Sequence, residues 1–193
     1  MLLNSLRVLH KGIPKRNIST VSSHIDTSKV LTPQCLEFVE TIHERTKENY
    51  SFTMNLRKQV ESEGNYGFRT DTREIVNGDW KVENHDANGK LSNRHVEITG
   101  PANNKRMVIN ALNSRANGYM TDLEDSMTPS WENVIAGHDN IYHAVRGTLT
   151  DVKYDNEGNV AKKYKINDTN VPTFFVRSRG LHMTEQNVLD RTN

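Results

Sequence analysis

The stretch RHVEITGPANNKRMVINALNSRANGYMTDLEDS, Arg94 to Ser126, decides the fold. Val96, Ile98 and Thr99 favour an extended strand, and Gly100-Pro101 stops it and opens a loop. Met107, Val108 and Leu112 then recur at helical spacing, which lays one apolar stripe on a sheet. After Gly118, Tyr119 and Met120 begin a second short strand that ends in Asp122, Glu124, Asp125 and Ser126. Strand, helix and strand in that order make a βαβ unit. In a parallel α/β fold the C-terminal ends of strands carry the chemistry, so the three carboxylates are a candidate site.

Toward the C-terminus, Pro129 and Trp131 open a helix in which Trp131, Val134 or Ile135, Ile141 or Tyr142, and Val145 recur before Gly147. His138 and His143 are five apart, not the four that puts two metal ligands on one helix face, and read as solvated or hydrogen-bonded surface residues. Thr148 to Tyr154, Asn156-Glu157-Gly158-Asn159 and Val160 to Ile166 read as a β-hairpin without a reactive group. Thr173-Phe174-Phe175-Val176 has the composition of a buried strand, and it ends in Arg177-Ser178-Arg179-Gly180-Leu181-His182. This pattern places an acid cluster beside an arginine pair at one rim. A salt-bridge network that merely closes the rim fits the same residues.

Toward the N-terminus, glycines 64, 67, 78 and 89 and the run NHDANGKLSN make residues 64–93 loop-rich, with Asp79-Trp80-Lys81-Val82 as the only apolar anchor. His85 and Asp86 lie in that polar stretch and are not expected to bind metal. Thr32 can cap a helix beginning at Pro33, with Leu36, Val39 and Ile42 on one face. Asn49 to Glu63 reads as a second helix carrying Phe52, Leu56 and Val60, so the pair is expected to form a helical hairpin. Cys35 is the single cysteine, which excludes an intramolecular disulfide and a cysteine-based zinc site, and its helical position suits packing. Residues 1–25 hold Arg7, Lys11, Lys15 and Arg16 without an acid, and Leu2, Leu6, Leu9 and Ile13 share a helical face. Basic, amphipathic and hydroxyl-rich, this segment has the composition of a mitochondrial presequence.

The chain has 193 residues, the length of one ordinary domain or a little more. It is 34% hydrophobic and 25% charged, and no apolar run spans a bilayer, so no membrane partner is expected. A net charge of +1 gives no nucleic-acid footprint.

Taken in order, VEITGP, KRMVINALNS, TDLEDS followed by PSWENVI, AVRGT and VRSRGLHMTE resemble the A-type malate synthase family over about residues 68 to 189. The resemblance implies an α/β fold in which a targeting segment (1–25) and an N-terminal helical clasp (26–67) precede the first strands of a TIM (β/α)8 barrel (68–193). The barrel carries a β-hairpin insertion and is incomplete, because three strands are far from a closed barrel. The implied reaction condenses acetyl-CoA with glyoxylate and then hydrolyses malyl-CoA to malate and free CoA, in the glyoxylate cycle. It calls for a carboxylate base, a group that stabilises the oxyanion, and Mg²⁺ to polarise glyoxylate.

Arg177 matches the family's catalytic arginine, and since a guanidinium offers only donors, its implied role is to bind glyoxylate and stabilise the oxyanion. Ser126 matches a position at the CoA pocket, and Asp122, Glu124 and Asp125 match an acidic motif that orients groups near the metal. Family members usually have alanine at Thr121, phenylalanine at Leu123 and proline at Ser178, departures that change no charge. The direct Mg²⁺ ligands and the aspartate base of the family match nothing in this chain, which is expected to be inactive alone. An alternative is a truncated, non-catalytic relative acting as a binding module. A citrate-lyase-type C–C lyase is disfavoured by the series of motifs. By family habit, glyoxysomes are the alternative to a mitochondrial location.

Overall fold

A computed structural model of the protein describes residues 26–64, 66–81, 89, 92, 94–167, 169–185 and 187–188. The presequence-like segment 1–25 and the pair His85 and Asp86 lie outside the described residues.

Helix α1, Pro33–Glu63, is one continuous helix of 31 residues. The Thr32 side chain caps it by accepting the Cys35 N–H at 3.1 Å, proline occupies its first turn, and Gly64 ends it in the left-handed region. The expected helical hairpin is therefore corrected to a single rod. Nothing between Glu44 and Asn55 breaks a helix, and the hydroxyls that could have capped a new start are turned backward. Thr46 Oγ1 donates to Ile42 O at 2.9 Å and Thr53 Oγ1 to Asn49 O at 2.8 Å. The loop-rich stretch that follows holds a short helix α2, Arg73–Asn77. Trp80, expected to anchor this stretch, is 61% exposed, and its indole N–H donates to Ile75 O at 2.6 Å.

The expected βαβ unit follows. Strand β1, Glu97–Pro101, leads through an Asn104 N-cap into α3, Lys105–Leu112, and then into β2, Gly118–Asp122. Helix α4, Trp131–Val145, is capped by Ser130, whose side chain accepts the Asn133 N–H. Next come the antiparallel hairpin strands β3, Thr150–Tyr154, and β4, Val160–Lys165, and finally β5, Thr173–Arg177. The sheet order is β1-β2-β5, with both pairings parallel.

Period-2 alternation decides what each sheet face meets. Ile98, Tyr119 and Phe174 lie side by side and pack under α3 and the hairpin, against Val108, Ile109, Leu112 and Leu149. The Tyr119 and Phe174 rings stack at 5.6 Å. Thr99, Met120 and Phe175 line the opposite face, and each keeps part of its surface exposed. Helix α4 lies close to the strand ends because Gly137 has no side chain. A Cβ there would stand 2.7 Å from Leu123 Cδ2 and 3.1 Å from Ala102 Cβ. The first turns of α1 join this layer through a cluster of Val39, Trp131, Ile135 and Val188. Among the described residues, no helix is long and apolar enough to cross a membrane.

Candidate active site at the strand ends

Parallel pairing sets Asp122, the last residue of β2, directly beside Arg177, the last residue of β5. The acid cluster and the arginine therefore meet at one rim, as the sequence pattern implies. Asp122 has no solvent exposure. Its Oδ1 accepts the Glu124 N–H at 2.8 Å, and its Oδ2 accepts the Ser126 N–H at 3.1 Å and the Ser126 hydroxyl at 2.6 Å. Those three bonds fold residues 123–126 around one carboxylate. Burial pushes the Asp122 carboxyl up, but the Ser126 hydroxyl and the two N–H donors outweigh it and hold the group below the usual carboxylate range.

Arg177 reaches all three acids. Its Nη1 lies 3.5 Å from Asp122 Oδ2 and donates to Asp125 Oδ1 at 2.9 Å, and its Nη2 pairs with Glu124. Burial opposes the guanidinium charge, and Asp122, Asp125 and Glu124 reverse that effect and raise its pKa above the ordinary value. The side chain is 38% exposed. Gly180 keeps the rim tight. A Cβ there would fall 2.6 Å from His182 Nδ1 and 2.8 Å from Glu124 Oε1.

The arginine pair itself is split. Arg179 turns away from the rim and forms a buried ion pair with Glu185 at 3.0 Å, and Glu185 also accepts the Asn187 N–H and side-chain amide. Strand parity would have kept residues 177 and 179 on one side, but β5 ends at Arg177 and the chain leaves the sheet plane. Sequence reasoning missed Glu185 for that reason. His138 is likewise not a solvated surface residue. Burial and the nearby Arg179 charge push its pKa down to about 4, so its imidazole is neutral at ordinary pH. His143 does fit the surface reading, with its Nδ1 2.8 Å from the Thr148 hydroxyl. Cys35 packs beside Val39 and Trp131, and burial pushes its thiol up, which suits packing rather than nucleophilic attack.

The rim does not fit Mg²⁺. Both oxygens of Asp122 already hold N–H and O–H donors, and Glu124 and Asp125 face Arg177. Among the described residues, no group of three or more His, Cys, Asp or Glu side chains is disposed to hold a metal ion.

Fold and rim together define an α/β protein that gathers its polar groups at the carboxyl ends of parallel strands. No family model matches the chain. Its sequence nevertheless matches malate synthases: 39% identity to that of Myxococcus xanthus over 86% of this chain, and 37% to that of Arabidopsis thaliana over 84%. A protein of Candida tropicalis named malate synthase, glyoxysomal, is 35% identical over 85% of the chain. This chain is a homologue of malate synthases and spans about 30% of their length.

Proposed function

We propose that this chain supplies the arginine side of a malate synthase active site, at which acetyl-CoA condenses with glyoxylate to malyl-CoA and water then cleaves the thioester to give malate and CoA. The observation that carries the reading is Arg177, held by Asp122, Glu124 and Asp125 while 38% of its side chain stays exposed. Glyoxylate presents a carboxylate and an aldehyde oxygen, and a guanidinium offers five donors in a planar fork that suits both. When the acetyl carbon attacks the aldehyde, negative charge moves onto that oxygen. Arg177, fixed in advance by three carboxylates, stabilises it there without reorganising. Arg177 cannot be the base, and Glu124 and Asp125 are both engaged by its guanidinium. Asp122 orients Arg177, and Ser126, an exposed residue whose hydroxyl and N–H are both committed to Asp122, contributes to the CoA side.

In this reading, β1, β2 and β5 are the first strands of a TIM barrel, with the rim at its catalytic face and α1 as the clasp. Mg²⁺, which would polarise glyoxylate in the complete enzyme, is held by residues other than these. Relatives named glyoxysomal favour a glyoxysomal location over the mitochondrial one.

Calorimetric titration with glyoxylate tests the assignment. The chain is expected to bind it, and Arg177→Ala to weaken binding at least about tenfold, the cost of one lost charge-assisted pair. Equal affinity in the variant would overturn the role of Arg177. A thiol-release assay with acetyl-CoA and glyoxylate is expected to show no turnover by this chain alone. Release of CoA would mean that one of the rim carboxylates is free to act as base.

A further inference from the structure

Away from the rim, a cavity of about 260 Å³ opens between the start of α1, α4 and the segment after β5. Its walls are apolar, with Leu31, Leu36 and Val39 on one side and Trp131 and Ile135 on the other. One end differs. There His138 and the Arg179–Glu185 pair line the cavity, and the two charges satisfy each other at 3.0 Å. Among the described residues, the His138 ring takes no hydrogen bond, and its neutral imidazole carries one donor and one acceptor. An apolar chamber with one polar end whose hydrogen-bonding capacity is open is the chemistry of a small-ligand site.

We propose that this cavity binds a small amphiphile, an apolar body ending in an uncharged group that both donates and accepts a hydrogen bond, with the head on His138. The size follows from volume. An engineered cavity of about 150 Å³ holds benzene, so this one takes roughly ten non-hydrogen atoms. An uncharged head suits the His138 part of the site because Arg179 is already neutralised by Glu185 and the imidazole carries no charge to pair with an ion. The remaining cation of the lining, Lys29, is exposed to solvent beside Asp26. The site is separate from the rim, since none of Asp122, Glu124, Asp125, Ser126 and Arg177 lines the cavity, and the proposal stands whether or not the rim binds glyoxylate.

Octanamide, with ten non-hydrogen atoms and a primary amide head, is the probe. Cys35, the only cysteine, lines the cavity and reports occupancy. Octanamide is expected to slow alkylation of Cys35 by iodoacetamide saturably, and octanoate at the same concentration to protect about tenfold less well. His138→Leu, which keeps the apolar walls, is expected to weaken octanamide binding about tenfold, the loss of one hydrogen bond. Circular dichroism confirms that the variant is folded, and the octanamide–octanoate comparison on the unaltered chain serves if it is not. No protection of Cys35 at about 1 mM octanamide, or equal protection by both probes, would overturn the proposal. So would unchanged affinity in folded His138→Leu.

Discussion

Asp122 is a carboxylate with no solvent exposure whose oxygens serve three donors and face Arg177, so its charge holds both the loop and the guanidinium. Asp122→Ala would leave those donors and a partly buried cation without their partner. It is expected to cost about 3–5 kcal/mol, read from the midpoint and slope of urea unfolding. Two titrations then separate along the pH axis. The folded pKa of His138, about 4, lies below its ordinary 6.5, so the native state binds fewer protons than the unfolded one between those values. Its stabilising contribution is complete above pH 6.5 and falls as pH drops toward 4, by roughly 3 kcal/mol. Thermal unfolding of His138→Leu should lack this decline. Asp122, also depressed, contributes above its unfolded value of 3.8 and loses that contribution at lower pH, so its effect begins where that of His138 ends. The acid cluster and Arg177 were legible as residues. The burial of His138 was not, because it depends on α1 lying across α4.

At the level of elements, the pieces with strong local signals formed: α3 and β2 from their apolar pattern, α4 from Pro129 and Trp131, and the hairpin from its turn. Strand β1 formed too, but it runs through Gly100-Pro101, read as its stop, because both pair in register with Thr121 and Asp122. In the hairpin turn Asp155 Oδ1 accepts the N–H groups of Glu157 at 3.0 Å and Asn159 at 2.8 Å. How the hairpin sits is a separate matter, decided by two contacts with α3. Arg106 pairs with Asp151, and Asn113 both donates to Lys165 O at 2.9 Å and accepts the Asn167 N–H at 2.8 Å. Asn113→Ala removes both of its bonds and should cost about 1–3 kcal/mol. Hydrogen exchange is the discriminating measurement. Faster exchange at Asn167, with the ladder between β3 and β4 unchanged, is the expected result, whereas melting of the whole hairpin would show that docking and folding are one step. Helix α1 was misread because propensity sets where a helix can run, while only a breaker sets where it stops, and residues 44–55 contain none.

For the molecule as a whole, the open sheet has the largest consequence. Among the described residues β1 and β5 each pair on one side only, and the face bearing Thr99, Met120 and Phe175 keeps exposed surface. Parallel sheets are ordinarily covered on both faces, and unpaired edges invite association. Concentration-dependent self-association of the chain is therefore expected in analytical ultracentrifugation. Val176, 48% exposed on the edge strand, is the residue at which Val176→Lys should weaken that association. A monomer at every concentration would show that these edges are protected in some other way. The sequence by itself determined the parallel βαβ unit, helix α4, the hairpin and the meeting of the acid cluster with Arg177, because turn residues, caps and apolar periodicity act over a few positions. Only the tertiary structure decided that Arg177 gathers the three acids while Arg179 is buried with Glu185, and that His138 is neutral beside a cavity. Those outcomes depend on where β5 leaves the sheet and on which helix lies across which, and both are settled by packing between residues far apart in the chain.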